Sequence, residues 1–126
     1  MKFFTKIGFL FLLLQGNAAL AAGDAFTQSK FDSLQSAGQP VVVHVHAAWC
    51  GSCKAQDVIL SKVMGLPEFK KVTFLQINFD DQKEALKQFN ASKQSTLIVF
   101  KEGQEQGRSI GDTQGDSVES LVRKGL

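Results

Sequence analysis

Val41-Val42-Val43-His44-Val45-His46-Ala47-Ala48-Trp49-Cys50-Gly51-Ser52-Cys53-Lys54 is the stretch that decides how the chain is read, because it holds the only two cysteines and the only tryptophan among 126 residues. β-Branched residues dominate its first half and predict a buried strand over 41–47, in which His44 and His46 share one face at the strand period of two. Directly behind it the pattern predicts a helix over 52–64 that carries Val58, Ile59, Lys62 and Val63, can pack its apolar side on the sheet, and ends at Gly65-Leu66-Pro67. A C-x-x-C at a strand-to-helix junction is a redox signature. At the helix start Cys50 lies beside the unpaired N–H groups of the first turn, whose positive potential favours thiolate over thiol. Cys53 follows three residues later on the same side of that turn, so one sulfur can attack while the other resolves. Cys50 is expected to be the more exposed and the more acidic of the two.

Two other uses of the pair compete with this reading. A structural disulfide closing so short a loop constrains the unfolded chain by only about 2 kcal/mol. A structural zinc site made of four thiolates needs a second C-x-x-C, and the sequence has none.

Outward from this stretch, the N-terminal residues read as a signal peptide over 1–21. Lys2 and Lys6 form a basic start, Ile7 to Leu14 an apolar run, and Ala19-Leu20-Ala21 a small-residue cleavage site near Ala21. The apolar run falls short of the roughly 20 residues that span a bilayer. The expectation is export, to the periplasm, with no membrane attachment after cleavage. Residues 22–126 then form one domain, long enough for a single core and too short for two. Lys2 and Lys6 account for the formal net charge of +2, so twelve basic residues face twelve acidic ones in the remainder. Such a balance carries no basic stripe for nucleic acid. Export also places the cysteine pair in an oxidising compartment, where a redox partner sets its state.

The rest of the chain alternates between the two periodicities. Thr27 to Ser36 predicts a short covering helix with Phe31 and Leu34 on one face, ended by Gly38-Gln39-Pro40. Val72 to Phe79 predicts a strand, parallel to the first through a right-handed crossover. Asp80-Asp81 is expected to open a helix with Ala85, Leu86 and Phe89 as its stripe, ending near Asn90. Thr96 to Phe100 predicts a third strand, residues 102–107 a polar turn, and Arg108-Ser109-Ile110 an antiparallel edge. Ser117 to Lys124 predicts a closing helix with Val118, Leu121 and Val122 inward. Eleven phenylalanines and no tyrosine suit a core filled by apolar rings, with those at positions 74, 79, 89 and 100 on inward faces.

From about Pro40 to Leu126 the chain resembles the thioredoxin superfamily, whose active site is likewise a W-C-x-x-C-K segment between a buried strand and a helix. The resemblance implies an α/β fold of thioredoxin type, a central mixed β-sheet flanked by helices in a single domain. It implies a thiol-disulfide oxidoreductase with Cys50 and Cys53 as its catalytic pair and no cofactor beyond their redox-active disulfide. Its partners would be protein thiols and disulfides, with a membrane or exported protein as redox partner. Trp49, Gly51, Ser52, Gln94, Ser95, Thr96 and Gly111 fall at substrate-binding positions, and Lys54 at a position that tunes the pair.

Two departures from the family pattern bear on mechanism. Ser95 stands where relatives carry a cis-proline before a threonine, here Thr96. A cis bond before a non-proline residue costs about 2.5–4 kcal/mol, so a trans Gln94-Ser95 bond is expected, with Gln94 presenting its edge differently. His44 stands in the place of the family's buried acid, where an imidazole could take the proton of Cys53. Gln76 replaces a partner lysine. Ser52 offers a neutral hydroxyl where strongly oxidising relatives carry a histidine, which favours a reductase or general exchanger. The competing function class is metal binding or delivery, with zinc or copper held by Cys50 and Cys53 together with His44 or His46.

Overall fold

The computed structural model describes residues 23–126, so the expected signal peptide lies outside the described residues. The strands are β1 (Asp24–Ala25), β2 (Val41–His46), β3 (Thr73–Asn78), β4 (Thr96–Lys101) and β5 (Gln104–Ile110). The helices are α1 (Gln28–Ser36), α2 (Gly51–Met64), α3 (Lys83–Gln88) and α4 (Gly115–Arg123). They build one mixed sheet of order β1-β3-β2-β4-β5, with β1, β3 and β2 parallel and β4 and β5 antiparallel. Among the described residues no helix is long and apolar enough to cross a membrane.

Strand alternation divides the core into two layers. Val41, Val43 and Val45 face Phe26, Phe31, Leu86 and Phe89, together with Leu75, Ile77, Ile98 and Phe100 of the sheet. Within that layer the rings of Phe26, Phe31, Phe89 and Phe100 meet at centroid distances of 5.1 to 5.9 Å, mostly edge to face or tilted. Val42 faces the other way, against Leu60 and Val63 of α2 and Val118, Leu121 and Val122 of α4. By the same alternation His44 and His46 stand on the α2 side, their rings 5.4 Å apart. The sheet therefore delivers both imidazoles to the layer beneath the cysteines.

The element order agrees with the sequence reading, with five local differences. β1 was not expected; it is two residues long and leans on β3, where a Cβ on Gly23 would run into the Phe74 carbonyl oxygen. The inward face of α2 is Cys53, Gln56, Leu60 and Val63, while Val58 is exposed and Ile59 half-buried. The helix is rotated so that its redox end, rather than its most apolar stripe, meets the sheet. α3 begins at Lys83 instead of Asp80-Asp81, because Asn78 Oδ1 accepts from the N–H groups of both aspartates and holds them in a turn. β5 begins at Gln104, since Glu102 and Gly103, at φ 50° and 78°, make a two-residue hairpin and shrink the expected loop. Phe79 is only half-buried and lies edge-on to Trp49 at 6.2 Å.

Candidate active site

The helix that carries the motif is started by its own reacting atom. Cys50 is the N-cap of α2, in extended conformation, and its Sγ accepts a hydrogen bond of 3.1 Å from the Cys53 N–H. Oxygen-bearing side chains usually fill this place; here a sulfur satisfies one of the unpaired first-turn donors. Cys50 and Cys53 are joined as a disulfide with their Cα atoms 5.3 Å apart. In this state Cys50 retains 3% exposure and Cys53 none, so both sulfurs are buried.

Ser95 closes the site from the opposite side. Its Oγ lies 3.2 Å from Cys50 Sγ and 3.2 Å from Cys53 Sγ, and it is hydrogen-bonded to Ser52 Oγ. Ser52 Oγ is in turn 3.4 Å from Cys50 Sγ. Cys53 Sγ also lies 3.8 Å from the Val45 carbonyl oxygen, which can accept from it once the pair is reduced. Ser95 itself sits at φ 61°, in the left-handed region, and among the described residues no peptide bond is cis. Its backbone is tied down at both ends: the N–H donates to Val45 O at 2.8 Å, and the carbonyl accepts from Gly111 N–H at 2.9 Å and Gln56 Nε2 at 3.1 Å. The trans Gln94-Ser95 bond expected from the sequence is present.

Beneath the cysteines the buried polar groups form one network. Gln56 Nε2 donates to the carbonyls of Ser95 and Asp112, which orients its Oε1 toward His44 Nε2 at 2.9 Å. An acceptor there makes His44 Nε2 the protonated nitrogen and leaves Nδ1 with a lone pair. Asp57 Oδ2 pairs with His46 Nε2 at 2.9 Å, and Asp57 Oδ1 faces His44 Nδ1 at 3.7 Å. Both of these last atoms are buried without a hydrogen-bond partner. Burial lowers the pKa of His44 to about 4, against the smaller opposing pull of the Gln56 hydrogen bond and the Asp57 charge. His44 is therefore neutral at neutral pH, and neither of its nitrogens is a hydrogen-bond partner of Cys53 Sγ.

A stability effect follows, and its sign is fixed by which state binds the proton. Between the ordinary imidazole value of 6.5 and about 4 the unfolded chain protonates this histidine and the folded chain does not. Stability from this group is complete above the upper value and is lost as pH falls toward the lower one, by a total of about 3 kcal/mol. Urea midpoints of the parent should fall more steeply with acid over this window than those of His44→Gln. Equal slopes would show that His44 protonates freely in the fold.

The remaining residues singled out from the sequence surround this centre. Trp49 is 60% exposed and donates from Nε1 to Asp80 Oδ2 at 3.0 Å. Gly51 and Lys54 are exposed at the start of α2, and Gln94 is half-buried. Thr96 is buried, with Oγ1 donating to Lys93 O at 2.7 Å. Gly111, at φ 72°, brings its N–H to Ser95, and its neighbour Ile110 is exposed. The ligand set Cys50, Cys53, His44 and His46 is not assembled: among the described residues no group of three or more His, Cys, Asp or Glu side chains is placed to hold a metal ion. Gln56 and Asp57 were not anticipated. A glutamine three residues after Cys53, on the inward stripe of α2, was the available signal for the first of them.

A cysteine pair joined as a disulfide at a helix N terminus, held against the buried central strand β2, defines a protein of dithiol-disulfide exchange. A family model described as Thioredoxin matches residues 24–124. Thioredoxin of Chlamydia trachomatis is 34% identical over 84 residues, which cover 67% of this chain and 80% of that protein. Among solved structures, that of Trxlp from Edwardsiella tarda is 38% identical with a TM-score of 0.77, covering 79% of this chain and 96% of that one. Oxidised mitochondrial thioredoxin 3 from Saccharomyces cerevisiae shares the fold at a TM-score of 0.70 and 23% identity, covering 81% of this chain and 94% of that one. The chain belongs to the thioredoxin family, and it is a thiol-disulfide oxidoreductase.

Proposed function

We propose that this oxidoreductase is exported to the periplasm, where Cys50 attacks disulfides of other proteins and Cys53 resolves the mixed disulfide. The observation that carries the assignment of roles is the Cys53 N–H donating to Cys50 Sγ at the start of α2, because that donor and the helix dipole favour negative charge on Cys50. Cys53 has a carbonyl and a hydroxyl beside it and no such donor from the helix start. The pair carries two electrons by itself, so no further cofactor is required, and an exported or membrane-bound thiol donor would return it to the dithiol state. A substrate segment would lie against Trp49, Gly51, Gln94 and Gly111, with Thr96 buried behind them. Export rests on the basic, apolar and small-residue pattern of residues 1–21.

The direction is taken as reduction or general exchange, since Ser52 supplies a neutral hydroxyl in place of a charged thiolate partner. Redox titration against a glutathione or dithiothreitol couple checks it. The midpoint is expected nearer the value of about −270 mV typical of reducing thioredoxins than the value of about −120 mV of a strong oxidant. A midpoint at the oxidant end overturns the reductive assignment. Cell fractionation of the full chain, beside a chain lacking residues 1–21, checks the compartment.

A further inference from the structure

We propose that Ser95 is the proton relay of the resolving step, passing the thiol proton of Cys53 through Ser52 to the sulfur that leaves. The inference rests on the reading that Cys50 attacks and Cys53 resolves. Resolution cannot proceed from a thiol: the proton must leave Cys53 as its sulfur attacks Cys50. Cys53 is fully buried, and two oxygens lie within hydrogen-bonding reach of its sulfur to take up the thiol proton of the reduced pair. One is the Val45 carbonyl, too weak a base to carry the proton away; the other is Ser95 Oγ, at 3.2 Å. Ser95 Oγ is bonded onward to Ser52 Oγ, and Ser52 is half-buried, 3.4 Å from Cys50 Sγ and so one bond removed from a substrate sulfur attached there.

None of the titratable groups packed around the pair is a hydrogen-bond partner of Cys53 Sγ, and the unpartnered His44 Nδ1 and Asp57 Oδ1 face each other at 3.7 Å. His44 Nε2 is held by Gln56, and His46 and Asp57 hold each other. The Asp112 carboxylate accepts from Gln114 N and Ser117 Oγ, Asp80 accepts from Trp49, and Lys54 is exposed. The position of Ser95 is rigid, fixed by three hydrogen bonds to its backbone.

The step balances within the site. The Cys53 sulfur forms the bond to Cys50 Sγ with its electron pair as the bond from Cys50 to the substrate sulfur breaks, and that bond's pair departs with the substrate. Cys53 gives its proton to Ser95 Oγ, Ser95 gives its own to Ser52 Oγ, and Ser52 gives its own to the departing thiolate. Each hydroxyl gains and loses one proton, so neither becomes charged. Over attack and resolution together, the substrate gains two electrons and the cysteine pair loses two.

Rapid-quench reaction of the reduced protein with oxidised glutathione, whose alkyl thiolate takes up a proton as it departs, separates the steps. The first release reports adduct formation, and the second reports resolution. Ser95→Ala keeps the Cβ that already occupies this backbone conformation and removes only the oxygen. It is expected to slow the second release on the order of a hundredfold near neutral pH, with the loss recovered as rising pH ionises Cys53 directly. The first release should change by less than about tenfold, the worth of one hydrogen bond to the Cys50 thiolate. The solvent deuterium effect on the second release should be present in the parent and absent in the variant at high pH. Ser52→Ala, at the half-buried outlet, should slow the second release at least about tenfold, and decides the question alone if Ser95→Ala does not fold. An unchanged second release in either folded variant, or equal slowing of both releases at every pH in Ser95→Ala, overturns the relay. Mapping of the first adduct to Cys53 overturns both the relay and the assignment beneath it.

Discussion

Ser95→Pro is expected to lose about 4 kcal/mol of stability, a fall in Tm of roughly 15–30 °C for a domain of this size. The residue sits at φ 61°, and a proline ring holds φ near −65°. Its N–H donates to the Val45 carbonyl at 2.8 Å, and proline has none to give. The substitution that would restore the family pattern is therefore the one this backbone accepts least. Ser95→Gly is the matching control: it frees the left-handed conformation and keeps the N–H, so its Tm should stay within a few degrees of the parent, about 1 kcal/mol either way. Thermal denaturation of the two variants side by side checks the pair of expectations. A proline variant as stable as the parent would mean that the segment from Lys93 to Thr96 adopts a second backbone arrangement at little cost.

Cys53→Ala should hold the chemistry half-way, with turnover of a protein disulfide reduced by at least about a thousandfold and a covalent adduct accumulating on Cys50. Cys50 retains the Ser95 hydroxyl and the N–H of residue 53, both of which favour its thiolate, so attack continues while release does not. The buried sulfur that is removed leaves only a small void between the Val45 carbonyl and Ser95, and the fold should persist. Mass spectrometry of the variant after exposure to substrate reads the adduct directly. Adduct formation by Cys50→Ala in its place would reverse the roles of the two cysteines.

The fold was legible because its signals are local and repeated. The β-branched run before Trp49, the stop at Gly65-Leu66-Pro67 and the apolar stripes around Phe31 and Leu121 each name an element without help from the others. Boundaries failed where a side chain overrules propensity: Asn78 seizes two backbone N–H groups and delays α3, and the Glu102-Gly103 hairpin converts polar residues into β5. The site was legible at its cysteines and at the Ser95 departure, which the motif spacing locates. His44 was legible as a position and not as a state. Its neutral, Nε2-protonated form depends on Gln56 and Asp57, whose contact with β2 is a matter of how α2 rotates on the sheet. Periodicity favoured Val58 for that face, and the redox end of the helix set a different one.

The sulfur cap on α2 ties the oxidation state of the protein to the winding of a helix. A thiolate at Cys50 accepts the Cys53 N–H more strongly than a disulfide sulfur does, because it carries charge. Linkage makes the effect mutual: whatever the first turn does to ease ionisation of Cys50, the ionised sulfur returns as order in that turn. Each catalytic cycle thus tightens and slackens the same end of one helix. The amide proton of Cys53 becomes a reporter on the electrons, exchanging with solvent more slowly when the pair is reduced.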